Sequence, residues 1–180
     1  PRFAITEVAV VGASRLTPEE IVAASGIGPG TNLFRLDRGA VVARLDAVRA
    51  YALGLPAANG KVGTVGFCWG GGASFNYATA QPKLDAAVVF YGTSPTEAEA
   101  YAKIAAPVLG HYAGDDARVD ATIPTAEDAM KKLGKRYTAK IYDGAGHGFM
   151  RQQNGRDGAN LKAAQQAWPA TVVFFRERLK

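Results

Sequence analysis

The chain has one cysteine, Cys68, and two histidines, His111 and His147, among its 180 residues. A single cysteine excludes an internal disulfide and a cysteine-based zinc cluster. Two histidines are too few for most histidine-based metal sites. No apolar run approaches the ~20 residues that cross a bilayer, and no charged, apolar, small-residue leader stands at the start. The first residue is Pro1 instead of methionine, which reads as a processed, trimmed or excised piece, so a missing leader says little of the parent's compartment. The net charge is +5, but no aromatic interleaving accompanies it. Lys131, Lys132, Lys135 and Arg136 fall around one helix end, and Arg176, Arg178 and Lys180 fall in the last turn of another. Cations there complement the negative end of the helix dipole, so no nucleic-acid partner is expected.

What is present suits a globular protein. Hydrophobic residues make up 48% and charged residues 21%, enough for one domain with a core or two small ones. The first 45 residues differ from the rest. Phe3 to Val11 is rich in β-branched residues and suits a strand. Thr17-Pro18-Glu19-Glu20 has the form of a capping box with proline at the first helical position. Asp37 can cap a second helix in which Val41, Val42 and Leu45 form an apolar stripe.

From Asp46 on, the pattern alternates. Asp46 to Leu55 is expected to be helical, with Val48, Tyr51, Ala52 and Leu55 on one stripe. Four short apolar strands follow, at Val62–Gly66, Ala86–Tyr91, Pro107–Tyr112 and Tyr137–Tyr142. Helices are expected near Gly71–Ala80, Thr96–Lys103, Ile123–Leu133 and Ala159–Leu179, the last packing through Trp168, Pro169, Phe174 and Phe175. Nearly continuous apolar strands alternating with helices predict an α/β fold, a mostly parallel sheet covered on both faces.

Gly66-Phe67-Cys68-Trp69-Gly70 follows a strand and precedes a helix, the setting of a nucleophile elbow. The turn is expected to leave no room for side chains two residues either side of Cys68, and to lift the sulfur above the sheet at a helix N-terminus that favours thiolate. Tyr112-Ala113-Gly114-Asp115-Asp116 follows the third strand, and Gly144-Ala145-Gly146-His147-Gly148 follows the fourth. Nucleophile, acid and histidine in that order, each just beyond a strand, form the α/β-hydrolase sequence of catalytic groups. Either aspartate can be the acid on this reading. His111, within or at the end of a strand, is expected to be structural.

The segments G-F-C-W-G-G, A-A-V-V-F-Y-G, A-P-V-L-G-H-Y, D-A-R-V and G-A-G-H-G-F-M-R, in that order, resemble dienelactone hydrolases over about residues 46–180. The resemblance implies a hydrolase of carboxylic esters or lactones, with a small-molecule substrate and no cofactor or metal. Cys68 would be the nucleophile, His147 its base and Asp116 the acid, with Asp115 the alternative. Trp69 would give its backbone amide to the oxyanion hole, and Arg151 would hold a substrate carboxylate. The first 45 residues, through V-x-V-x-G-A, P-E-E-I and G-x-N-L-F-x-L-D, resemble the POTRA domain of the cell-division protein FtsQ. That resemblance covers about half of such a domain, as a β-α-α segment.

Dienelactone hydrolases carry strands before the elbow that supply a second oxyanion amide, a glutamate and a further arginine, and no motif assigns these here. Glu7, Glu19 and Glu20 are available carboxylates, but no motif assigns one of them to that role. The expectation is a weakened hydrolase whose nucleophile strand has an open edge, inviting self-association or pairing with Phe3–Val11. Two other readings remain open: a POTRA-like protein-interaction module, and an inactive fusion of two unrelated halves. The two resemblances point to different compartments, the cytoplasm and the space outside it.

Overall fold

The structure, a computed structural model, describes residues 37–180 together with Thr17 and Glu19. The expected Phe3–Val11 strand and nearly all of the Thr17 helix lie outside the described residues. The chain divides into two compact units, Pro1–Val48 and Arg49–Lys180.

Helix α1 spans Arg38–Leu53. Asp37 caps it as expected, its carboxylate accepting the Gly39 amide at 2.9 Å. The two helices expected around residue 45 are one, because no glycine or proline interrupts residues 40–53. The stripe expected from Val48, Tyr51 and Leu55 is not buried, and all three side chains are exposed.

The larger unit is built on a parallel sheet with strands in chain order: β1 (Gly63–Phe67), β2 (Ala86–Phe90), β3 (Val108–Asp115) and β4 (Tyr137–Gly146). Between the strands lie α2 (Trp69–Ala80), α3 (Ala98–Ala102), α4 (Ala117–Asp120) and α5 (Ile123–Lys132), and α6 (Ala159–Arg178) closes the unit after a short 3-10 turn at Arg156–Gly158. Parallel neighbours need crossovers, and these helices supply them. Every residue of β2 is buried, as a strand covered on both faces requires.

One side of the core joins Val88, Phe90, Leu109, Tyr142 and Phe149 to Ala163, Ala164 and Ala167 of α6. Small alanines let that helix lie close on the strands. Trp168, expected in the packing face, is exposed over about half its surface; Phe174 and Phe175 do pack on the core. Phe75 of α2 meets Tyr101 of α3 at 6.1 Å and Tyr137 of β4 at 5.3 Å.

His111 lies in the middle of this packing and is fully buried. The Thr171 hydroxyl donates to the Ala167 carbonyl, so toward His111 it accepts from Nε2–H at 3.0 Å. Nδ1 therefore accepts the Tyr142 hydroxyl at 2.8 Å. Burial, then Lys140 nearby, lowers its pKa to about 3, so it stays neutral across the physiological range. Its role is structural.

Two strands run longer than expected. β3 and β4 run on past Tyr112 and Tyr142 to Asp115 and Gly146, staying paired through a register shift between Ala113 and Asp115. The ladder thus reaches the residues that precede Asp116 and His147. β1 pairs with β2 alone among the described residues, and its Val65 and Phe67 are 42% and 41% exposed.

Candidate active site

The elbow between β1 and α2 is built by close backbone packing. A Cβ on Gly66 would lie 1.8 Å from the Gly70 carbonyl oxygen, and one on Gly92, just beyond β2, would lie 2.1 Å from the Gly72 amide. No side chain fits either place. The expectation that Gly70 must also be bare is corrected: a Cβ there meets nothing within 4 Å. The strand enters the turn beneath the first turn of α2, so Gly66 takes the crowding and Gly70 faces open space.

Cys68 sits at the N-cap of α2 with φ 56° and ψ −120°. A positive φ is strained for a residue with a side chain. Bonds on both sides hold it there: its amide donates to the Phe90 carbonyl at 3.0 Å, and its carbonyl accepts the Gly71 amide at 3.0 Å. The effect is to expose the sulfur at the carboxyl end of the sheet, beside the positive end of α2.

Asp116 stands at the N-cap position of α4 just beyond β3, its side chain making no capping bond, and His147 lies just beyond β4. The His147 imidazole lies 3.1 Å by Nε2 from the Cys68 sulfur and 2.5 Å by Nδ1 from an Asp116 carboxylate oxygen. Asp115 is turned away and forms an ion pair with Arg156. Tyr91, itself at φ 38°, lays its ring 5.2 Å from the His147 ring and floors the site.

The electrostatics follow these contacts. The hydrogen bond with His147 holds the Cys68 thiol below its ordinary value, against partial burial; the Trp69 backbone amide and the charges of His147 and Arg118 add to the lowering. Partial burial of His147 opposes its charged form, but bonding to Asp116 and Cys68 outweighs it and the pKa is raised. Burial, then the charge of Cys68, pushes the Tyr91 phenol up to about 12. Both shifts in the Cys68–His147 pair favour thiolate and imidazolium.

The other expected residues are also at this end. Trp69 is 61% exposed, while its backbone amide is one of the groups that favour the Cys68 thiolate. Arg151 lines a recess of about 570 Å³ with Gln152, Gln153, Asn154 and Gly155. Sequence reasoning passed over three participants. Arg118 adds a positive charge near Cys68, Gly92 makes room for α2, and Asn160 bonds to both ends of the His147 loop. Gly92 and Arg118 stood inside quoted motifs; nothing local marked Asn160. Among the described residues no group of three or more His, Cys, Asp or Glu could hold a metal ion, and no helix is long and apolar enough to cross a membrane.

A model of the dienelactone hydrolase family matches residues 29–179, and one of the FtsQ-type POTRA domain matches residues 3–50. Two curated relatives share the name "Putative carboxymethylenebutenolidase". The one from Saccharolobus solfataricus is 42% identical over 131 residues, covering 73% of this chain and 50% of its own. The one from Methylorubrum extorquens is 33% identical over 148 residues, covering 76% and 50%. The chain thus spans about half the length of these relatives. Among solved structures, a dienelactone hydrolase from Anabaena variabilis superposes with TM-score 0.63 at 27% identity, over 92% of this chain and 70% of that one.

Proposed function

Since the chain belongs to the dienelactone hydrolase family, we propose that it hydrolyses carboxylic ester or lactone bonds with Cys68, His147 and Asp116 as a catalytic triad. The observation that carries this reading is the unbroken line of contacts from the Cys68 sulfur through His147 to Asp116, at 3.1 and 2.5 Å. The names of the relatives support a lactone as the substrate class.

The steps follow from the contacts. His147, charged, donates Nε2–H to the Cys68 thiolate and Nδ1–H to Asp116, which fixes the ring's orientation. The thiolate attacks the substrate carbonyl, and the developing oxyanion is received by the Trp69 amide. His147 then gives its Nε2 proton to the leaving alkoxide, and the acyl group remains on sulfur. Neutral His147 next takes a proton from water, and the hydroxide formed attacks the thioester. Cys68 leaves as thiolate, the acid is released, and His147 is charged again. The chemistry needs no cofactor. Arg151, exposed on the loop after His147, presents a planar fork of donors to a substrate carboxylate.

Trp69 is the one residue we assign to the oxyanion among those described. Lack of one oxyanion donor costs about 2.7–4 kcal/mol in the transition state, so we place this chain below a two-donor hydrolase in rate. We assign residues 46–180 to the hydrolase domain and residues 1–45 to a partial POTRA-like segment. A second reading, favoured by the match at residues 3–50, makes that segment a protein-interaction module. Hydrolysis of p-nitrophenyl acetate and of a dienelactone, beside Cys68→Ala and His147→Ala, tests the first. Activity lost in both variants upholds it. No activity in a folded wild-type chain overturns it, and leaves partner binding that survives Cys68→Ala as the test of the second.

A further inference from the structure

His147 must hold two contacts at once, yet it stands in a glycine-flanked loop with no strand partner of its own among the described residues. Gly146 precedes it, Gly148 follows at φ +79°, and the chain turns back through bonds from the Arg151 and Gln152 amides to the Gly148 carbonyl, at 2.9 and 3.0 Å. Phe149, fully buried, anchors the far side of the turn. The ladder holds the loop only at Gly146, so its two ends need a separate tie to each other.

Asn160 supplies it. This side chain stands in the first turn of α6 and is 1% exposed, a polar group deep in the unit. Its Oδ1 accepts the Gly146 amide at 2.8 Å, and its Nδ2 donates to the Gln152 carbonyl at 2.7 Å. The backbone groups dictate this orientation: an amide N–H needs an acceptor and a carbonyl needs a donor. One planar amide therefore closes residues 146–152 across their base, with His147 and Arg151 both inside the span. A second support lies alongside. Gly146 is the ladder partner of Asp115, and Arg156 crosses Gly146 to pair with that aspartate.

We propose that Asn160 is a positioning residue for the reaction: by tying the Gly146 amide to the Gln152 carbonyl it fixes where His147 stands between Cys68 and Asp116. The proposal rests on the Cys68–His147 reading above. A merely structural asparagine would contribute to stability and leave the thiol unaltered. A positioning one controls the thiol as well, because the His147 bond is the main reason that Cys68 ionises early.

The test uses the full chain with two substitutions. Asn160→Ala removes both bonds, and Asn160→Leu does so while keeping the bulk and adding no charge. Two quantities are read for each: the pH dependence of Cys68 alkylation by iodoacetamide, and kcat and KM on p-nitrophenyl acetate. Circular dichroism monitors the fold. The expected result is an alkylation curve displaced to higher pH and a kcat lower by about a hundredfold, the scale of an ångström's misplacement, with KM little changed. A folded variant with the wild-type curve and kcat would overturn the proposal. Failure of both variants to fold would also overturn it, assigning Asn160 to the core alone. A wild-type thiol that reacts like an ordinary cysteine, whether or not His147 is present, would instead sink the underlying triad reading.

Discussion

The elbow that carries Cys68 and the loop that carries His147 hold their residues by different physics. At the elbow, backbone is packed on backbone so closely that Gly66 and Gly92 admit no Cβ, and Cys68 is left at a strained φ of 56°. Steric exclusion of this kind needs only bare positions, at fixed offsets from Cys68 or just beyond a neighbouring strand. At the His147 loop, hydrogen bonds from remote groups do the holding: Asn160, thirteen residues on in the chain, and Arg156, paired to Asp115 across the ladder. The first arrangement tolerates almost no substitution; the second depends on residues that look ordinary in sequence. A site can thus be rigid at both corners while only one corner announces itself.

The sharpest way to break the comparison is to remove the groups proposed to react. Cys68→Ala should reduce ester hydrolysis to the uncatalysed background, measured with p-nitrophenyl acetate. His147→Ala should do the same and shift Cys68 alkylation to higher pH, because the bond that lowers the thiol is lost. The signs of the pH effects on stability are opposite for the pair. His147, raised in the fold, contributes below its ordinary pKa of about 6.5 and loses that contribution as pH rises through the raised value. Cys68, lowered in the fold, contributes above its ordinary value of about 8.5 and loses that contribution as pH falls through the lowered one.

The next effect sharpens the elbow itself. Gly66→Ala should destabilise by about 1–3 kcal/mol or more, the usual cost of overpacking, seen as a lower midpoint in urea. Gly70→Ala should do the reverse. Its Cβ meets nothing within 4 Å, and alanine is favoured over glycine inside a helix by roughly 0.5–1 kcal/mol. Equal losses for the two would restore the symmetrical elbow expected from the motif.

The smallest effect separates the neighbouring aspartates. Asp115→Asn weakens an exposed pair with Arg156, worth about 0–1 kcal/mol in stability, and should lower kcat only slightly, because Asn160 still ties the loop. Asp116→Asn should lower kcat strongly and bring the His147 pKa down, read by the pH profile of hydrolysis. Comparable losses in both would mean that the acid is shared.

Much of the fold was legible because its signals are local. Runs such as Ala86–Phe90, buried at every position, read as covered parallel strands, and the glycines around Cys68 read as an elbow. The misses have a common cause. Val48, Tyr51 and Leu55 lie at helix spacing yet are exposed, since periodicity tells which residues share a face and not whether anything covers it. Trp168 is exposed for a related reason: α6 meets the sheet through its alanines, which allow a closer approach than a large ring does. The ends of β3 and β4 lacked apolar character, and only pairing across the ladder carries them on to Asp115 and Gly146.

The sequence by itself determined the alternating α/β order, the elbow and the chain order of Cys68, an aspartate and His147, because strand pattern, glycine placement and motif spacing are properties of neighbours. Only the tertiary structure shows that Asp116, and not Asp115, meets the His147 imidazole, and only it brings Asn160 to both ends of the His147 loop. Those outcomes depend on which groups meet across distances the chain does not encode locally, and on competition among partners once they meet: Arg156 takes one carboxylate and leaves the other to the imidazole.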